Sequence, residues 1–309
     1  MILPIMFYSV SGEQERIHTD VKNNDLKGLI LNNQDEPVSY AHLYLESSET
    51  GTITDFDGEF PIPDSWSDDG TVVISAIGYS SKTLSVDELR TRSNRNTPII
   101  LSPKDYGLEE LTVSASSLKS GSVKNYGFLQ RVLGYGGAVG GFSPPENRVA
   151  YSRAQRIDID RKPPYWLNSI TLWIGVNKWA NQNSENLEQD ESDSSKEALI
   201  RINLVDVAED GSPGENSYLS EPIYLLIDDS ERRQKIDLSS YNLMMNESQF
   251  YIVAEFIVDD LDSFNGYFPT FSAGKRGDGS YYRGSPFKPW SEDSLLDEFQ
   301  IMYKAEYLY

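Results

Sequence analysis

Gly51-Thr-Ile-Thr-Asp-Phe-Asp-Gly-Glu-Phe60 is the stretch on which the reading of the fold turns. Asp55 can accept hydrogen bonds from backbone amides just ahead of it and so hold a tight reversal. Gly58 can take the positive φ that such a hairpin needs, and Phe60 returns the chain to an apolar core. The stretch predicts two short strands joined by a turn. Asp55, Asp57 and Glu59 also share the odd spacing of a cation loop. An EF-hand loop, however, needs a bidentate Glu further on and a helix on each side. Neither is present, so the turn is the preferred reading and no metal is assigned.

Working outward, residues 26–101 read as a series of short strands. Leu26-Lys-Gly-Leu-Ile-Leu31 is strand-like, and Asn32-Asn-Gln-Asp35 followed by Pro37 is turn chemistry. Ala41, Leu43 and Leu45 alternate with period two, which turns His42 outward. Val72-Val-Ile-Ser-Ala-Ile77 is β-branched and ends in Gly78-Tyr79. Thr83–Val86 and Pro98–Leu101 add two more strands. Ser85-Val-Asp-Glu88 fits a capping box, which predicts one helical turn at that point. Short strands separated by turns predict a sandwich.

Four elements occur in a fixed order: Gly28-Leu-Ile30, then Pro37-Val-Ser-Tyr-Ala-His-Leu43, then the hairpin stretch with Thr54-Asp55, Gly58 and Phe60, then Ile77-Gly-Tyr79. In this the segment resembles the carboxypeptidase-like regulatory domain, a transthyretin-like β-sandwich. Pro98–Leu101 and Leu108-Glu-Glu-Leu-Thr-Val113 resemble that family's closing and exit strands. Asp35-Glu36 stand where the family has a Gly. The resemblance implies no catalysis. It implies the company of carboxypeptidases or a position ahead of the plug of TonB-dependent outer-membrane transporters.

The chain has 309 residues and no Cys, 48 acids against 27 bases, and a net charge of −21. Nucleic acid and anionic membrane surfaces are disfavoured as partners. Zinc fingers, iron–sulfur clusters and Cys nucleophiles are excluded. Residues 24–103 carry 13 acids and 5 bases, residues 104–149 carry 4 and 5, and residues 150–309 carry 28 and 15. The near-neutral middle is rich in Gly, from Gly121 to Gly141. This divides the chain into a signal-like segment 1–23, the sandwich domain 24–103, an exit strand and Gly-rich connector 104–149, and a second β-sandwich 150–309. Met1–Val10 reads as the apolar core of a secretory signal and is too short to span a bilayer. No window is long and apolar enough for a transmembrane helix. Without a Cys to acylate, no lipid anchor is expected on this chain.

The second body also reads as β. Ile170, Leu172, Ile174 and Val176 alternate, as do Ile200, Ile202 and Leu204 around Arg201 and Asn203. Phe250–Val258 suits a central strand, and Phe299–Tyr303 with Ala305 and Tyr307 suits a closing one. Pro213-Gly214 and Asn265-Gly266 supply turns. Arg201–Leu204, Pro213–Glu215 and Ile236–Tyr241 together suggest a jelly-roll-like module. Residues 181–196 are a polar, acidic run expected to form a solvated loop.

Catalytic signals are thin. The two His residues, His18 and His42, lack a Gly-x-Ser-x-Gly partner. Glu221, Glu255 and Asp237 are acids that sequence alone cannot bring together. Gly134–Gly141 misses the spacing of a phosphate loop. Aromatic residues cluster at Tyr165-Trp166, Trp173, Trp179, Tyr267-Phe268, Phe271, Tyr281-Tyr282, Phe287 and Trp290. They fill a core, or some of those in 264–290 form a stacking surface. The expectation is an all-β, non-enzymatic accessory protein of a Gram-negative envelope with no cofactor. It would be periplasmic or held at the outer membrane by a protein partner, a TonB-dependent transporter or an assembly complex. The alternative is a glycan-binding module or glycosidase-associated protein using the 264–290 rings.

Overall fold

The computed structural model describes residues 26–48, 50–104, 118–126, 148–178, 197–228, 230–258, 267–272, 274, 278–292 and 300–309. The signal-like segment, His18, the exit strand, the Gly-rich run 134–141, the acidic run, Trp179 and the Asn265-Gly266 turn lie outside them. The chain adopts the all-β class expected from its sequence.

The first body comprises β1 (Lys27–Asn32), β2 (His42–Leu45), β3 (Thr50–Ile53), β4 (Glu59–Pro61), β5 (Thr71–Ser75), β6 (Lys82–Ser85), α1 (Val86–Asn94) and β7 (Ile99–Leu101). One sheet has the order β4-β1-β7, with β7 parallel to β1; the other has the order β3-β2-β5-β6. Ile30, Phe60, Ile99 and Leu101 from the first sheet meet Leu43, Leu45, Val72 and Ile74 from the second. This is the sandwich that period-two alternation dictates. The deciding hairpin forms as expected. Asp55 Oδ1 accepts from the amides of Asp57 (3.0 Å) and Glu59 (2.8 Å), Gly58 has φ +76°, and Phe60 is buried. Where the family has a Gly in the first turn, Asp35 takes φ +62°, and Asn32 Oδ1 accepts from the amides of Gln34 and Glu36. Aspartate tolerates this left-handed conformation better than most residues, which explains the departure. The N-cap forms, with Ser85 Oγ accepting from the Glu88 amide at 3.1 Å, while Glu88 Oε1 accepts from Arg92 one turn on. The helix it starts runs through nine residues, longer than the single turn expected, because Val86 and Leu89 are buried in the sandwich core and sustain it.

The second body comprises β8 (Ser120–Lys124), β9 (Val149–Asp158), β10 (Tyr165–Lys178), β11 (Ala198–Val207), β12 (Pro213–Ser217), β13 (Ile223–Ile227), β14 (Arg233–Asp237), β15 (Met244–Met245), β16 (Gln249–Ile257), β17 (Tyr267–Phe271), β18 (Ser280–Arg283), β19 (Ser291–Glu292) and β20 (Tyr303–Leu308). One sheet runs β14-β10-β20-β8, with β15 and β17 also on β10. The other runs β12-β11-β16-β9-β18-β19, with β13 also on β11. Ile170, Leu172 and Ile174 of β10 face Ile200, Ile202 and Leu204 of β11 and Phe250, Ile252 and Phe256 of β16 across one apolar core. β16 is central, paired to β11 on one side and β9 on the other. β20 lies between β10 and β8 rather than at an edge.

One expected turn is placed differently. Pro213 and Gly214 open β12 instead of turning the chain. The reversal falls just before them, where Gly211 has φ +87° and Ala208 N bonds to Ser212 O. Asp210 Oδ1 supplies the turn by accepting from Ser212. Proline at the first residue of an edge strand costs no ladder bond.

Candidate functional site

The most distinctive chemistry lies on the outer face of the larger sheet, where strand register aligns four polar residues. Arg201 on β11 is opposite Glu255 on β16, Glu255 is opposite Ser152 on β9, and Ser152 is opposite Arg283 on β18. Period-two alternation turns all four away from the sandwich core. They are nevertheless shielded from water, because the first body covers this face. Arg201 and Glu255 are each only 3% exposed.

Glu255 is saturated. Its Oε2 accepts from Arg201 Nε at 2.7 Å, and its Oε1 accepts from Arg283 Nη2 at 3.0 Å and Ser152 Oγ at 3.3 Å. Arg201 then reaches into the first body. Its Nη1 donates to Tyr40 O at 2.6 Å and its Nη2 lies 2.8 Å from His42 Nε2. Tyr40 holds φ +54°, a sparsely populated backbone state for a bulky residue,. Apolar contacts surround the charges. Tyr40, Ile53, Val149, Ile257 and Phe287 form one cluster drawn from both bodies. Phe287 contacts His42 edge-on at 5.9 Å and stacks with Tyr44 at 6.3 Å. Gly51 and Gly78 permit the close approach. A Cβ on Gly51 would meet the Phe287 ring at 2.4 Å, and one on Gly78 would meet Ser220 O at 1.9 Å.

The electrostatics follow from this enclosure. Burial works to raise the Glu255 carboxyl, but Arg201, His42 and Arg283 outweigh it and hold the group at about 2. Burial first, then Arg201, pushes His42 down to about 3, so its ring is neutral at physiological pH,. Burial also lowers the Arg283 guanidinium. Two guanidinium cations and one carboxylate therefore sit in a dry joint with a neutral imidazole. A guanidinium donor occupies the Nε2 lone pair, and both Glu255 oxygens are spent. In this arrangement neither group is free to shuttle protons, and the cluster acts as a latch between the two bodies.

Sequence reasoning correctly turned His42 and Arg201 away from their own cores, but it could not see that the two outward faces meet. A usable signal was the lone Glu255 inside Phe250–Val258, since a carboxylate in a central apolar strand demands a partner. The other two acids do not join it. Asp237 lies on the opposite sheet with its Oδ1 accepting from Ser239 N, and Glu221 is exposed near Gly78. Asp55 offers no cation loop beyond its turn, and its second oxygen faces Arg148 at 3.7 Å. The described rings are mostly spent on packing. Tyr165 and Phe271 are in the core, Tyr282 contacts Tyr151, Tyr281 contacts Tyr251, and Trp290 lies under the Arg283 guanidinium at 4.2 Å.

Comparison with known proteins agrees with the first body. Residues 26–113 match the family described as the CarboxypepD_reg-like domain, so this segment is such a domain, as its ordered motifs indicated. The chain is also similar to the TonB-dependent receptor SusC of Bacteroides thetaiotaomicron, with 33% identity over 86 residues. That match covers 28% of this chain and 8% of the receptor, so the chain spans only a small part of that relative. Among solved structures, the cysteine protease and lectin-like domains of Cwp84, a surface layer associated protein of Clostridium difficile, match 51% of this chain and 32% of that one. Identity there is 12% and the TM-score is 0.34, a likeness that carries no functional meaning.

Proposed function

We propose that the chain is a non-enzymatic interaction protein of a bacterial cell envelope, which docks on an outer-membrane machine of the TonB-dependent receptor type. The observation that carries this reading is the CarboxypepD_reg-like domain at residues 26–113, together with the similarity of 86 residues of the chain to part of such a receptor. The latch supports it. A sandwich fixed to a second, larger sandwich by buried charge presents surfaces in one orientation, which suits docking better than turnover. Among the described residues no helix is long and apolar enough to cross a membrane. The near-neutral stretch between two acidic bodies is the least repulsive docking segment.

Affinity purification of the tagged full chain from its native envelope tests this. A TonB-dependent transporter or assembly-complex subunit should co-purify, and deletion of residues 127–147, which leaves β8 paired with β20, should abolish it. Recovery of the chain without any envelope protein, or equal recovery after the deletion, would overturn the reading.

A further inference from the structure

A cavity of about 360 Å³ opens where the loop after β9 meets the end of β20, lined by Asp160, Arg161, Lys162, Tyr307 and Tyr309. Its size falls at the small end of ligand sites. It lies apart from the latch and draws on none of the latch residues.

The two tyrosine walls are firmly held, and Asp160, Arg161 and Lys162 are exposed at the mouth. Tyr307 is 5% exposed, contacts Tyr165 at 5.4 Å and rests on Gly121. A Cβ on Gly121 would sit 2.5 Å from the Tyr307 ring, so only glycine allows the tyrosine to lie there. The Tyr309 backbone is pinned to Lys119 in both directions, N to O at 2.9 Å and O to N at 2.8 Å. The Arg161 guanidinium lies 3.4 Å above the Tyr309 ring centre. Stacking fixes the plane of a guanidinium while leaving its in-plane N–H donors unspent. Asp160, the carboxylate side chain in the lining, accepts from Tyr307 Oη at 3.2 Å. Among the described residues, no carboxylate lies within ion-pairing distance of Arg161 or Lys162.

We infer that this cavity binds a phosphate group carried on a small polar molecule or a lipid head. A planar guanidinium fork and an ammonium match the oxygens of a phosphomonoester, while the Tyr307 hydroxyl stays committed to Asp160,. The net charge of −21 does not forbid it, because screening confines the distant acids to about 8 Å at physiological ionic strength,. The inference is independent of the docking partner proposed above. Phosphate binding could fail while envelope co-purification succeeds, or the reverse.

The test uses the full chain in three calorimetric titrations: inorganic phosphate, glucose 1-phosphate, and phosphatidylcholine vesicles containing phosphatidic acid. Saturable binding is expected to at least one phosphate probe. The Arg161→Gln/Lys162→Gln double variant should weaken it by roughly tenfold or more, as expected when charge-assisted bonds are lost. Because both side chains are exposed, the thermal midpoint of that variant should match the parent. Binding of the soluble phosphates identifies a free ligand, and binding of the vesicles alone identifies a lipid headgroup. No binding to any probe, or equal affinity in the parent and in a folded double variant, overturns the inference.

Discussion

Glu255 has lost its water and gained three donors, and its energetics follow from that exchange. Removing one member of a buried ion pair strands the others. Glu255→Gln should therefore destabilise the protein by about 3 kcal/mol or more, measured by urea unfolding. Replacing the charges together (Arg201→Met, Glu255→Leu, Arg283→Met) should cost less than the single change, since no charge is left uncompensated. The pH dependence has a definite sign. Glu255 titrates at about 2 against an ordinary 4.5, so its contribution is present above 4.5 and lost as pH falls toward 2,. His42 titrates at about 3 against an ordinary 6.5. Between those values the unfolded chain binds a proton that the folded chain refuses, so stability falls as pH falls through this interval. His42→Gln keeps a polar side chain beside Arg201 without a titrating ring. It should flatten the stability profile between pH 6.5 and 4.5 and make the drop between 4.5 and 3 shallower without abolishing it, since Glu255 still loses its charge there, as read by chemical denaturation at stepped pH.

Elements were legible in proportion to how local their causes are. The 51–60 hairpin was readable because Asp55 and Gly58 act on backbone within a few residues. The Ser85 cap was readable for the same reason, though the helix length was not, since tertiary burial of Val86 and Leu89 sets it. Ser85→Ala should cost about 1 kcal/mol in thermal or chemical unfolding. The alternating runs of β10, β11 and β16 announced their buried faces correctly. Pro213-Gly214 misled because a turn-prone pair can equally begin an edge strand once Asp210 has made the turn. The latch was hidden because alternation shows which way Arg201 points but not what lies there. Gly78 marks the contact from the other side. Gly78→Ala places a methyl within the Ser220 carbonyl at a φ of +86°. It should loosen the latch and raise hydrogen exchange at Tyr40 and His42, while β1 and β7 in the first body stay protected.

At the scale of the whole molecule, two β-sandwiches that each hide their own apolar faces are joined through surfaces that either one alone would leave to solvent. The charge row, the Phe287 cluster and the close approach at Gly78 all serve that junction. The most direct measurement is differential scanning calorimetry of the full chain beside the Glu255→Gln variant. A latched protein should melt in one transition whose calorimetric and van't Hoff enthalpies agree, and the variant should split into two. Two separate transitions in the unaltered chain, or one unsplit transition unchanged by Glu255→Gln, would contradict the latch.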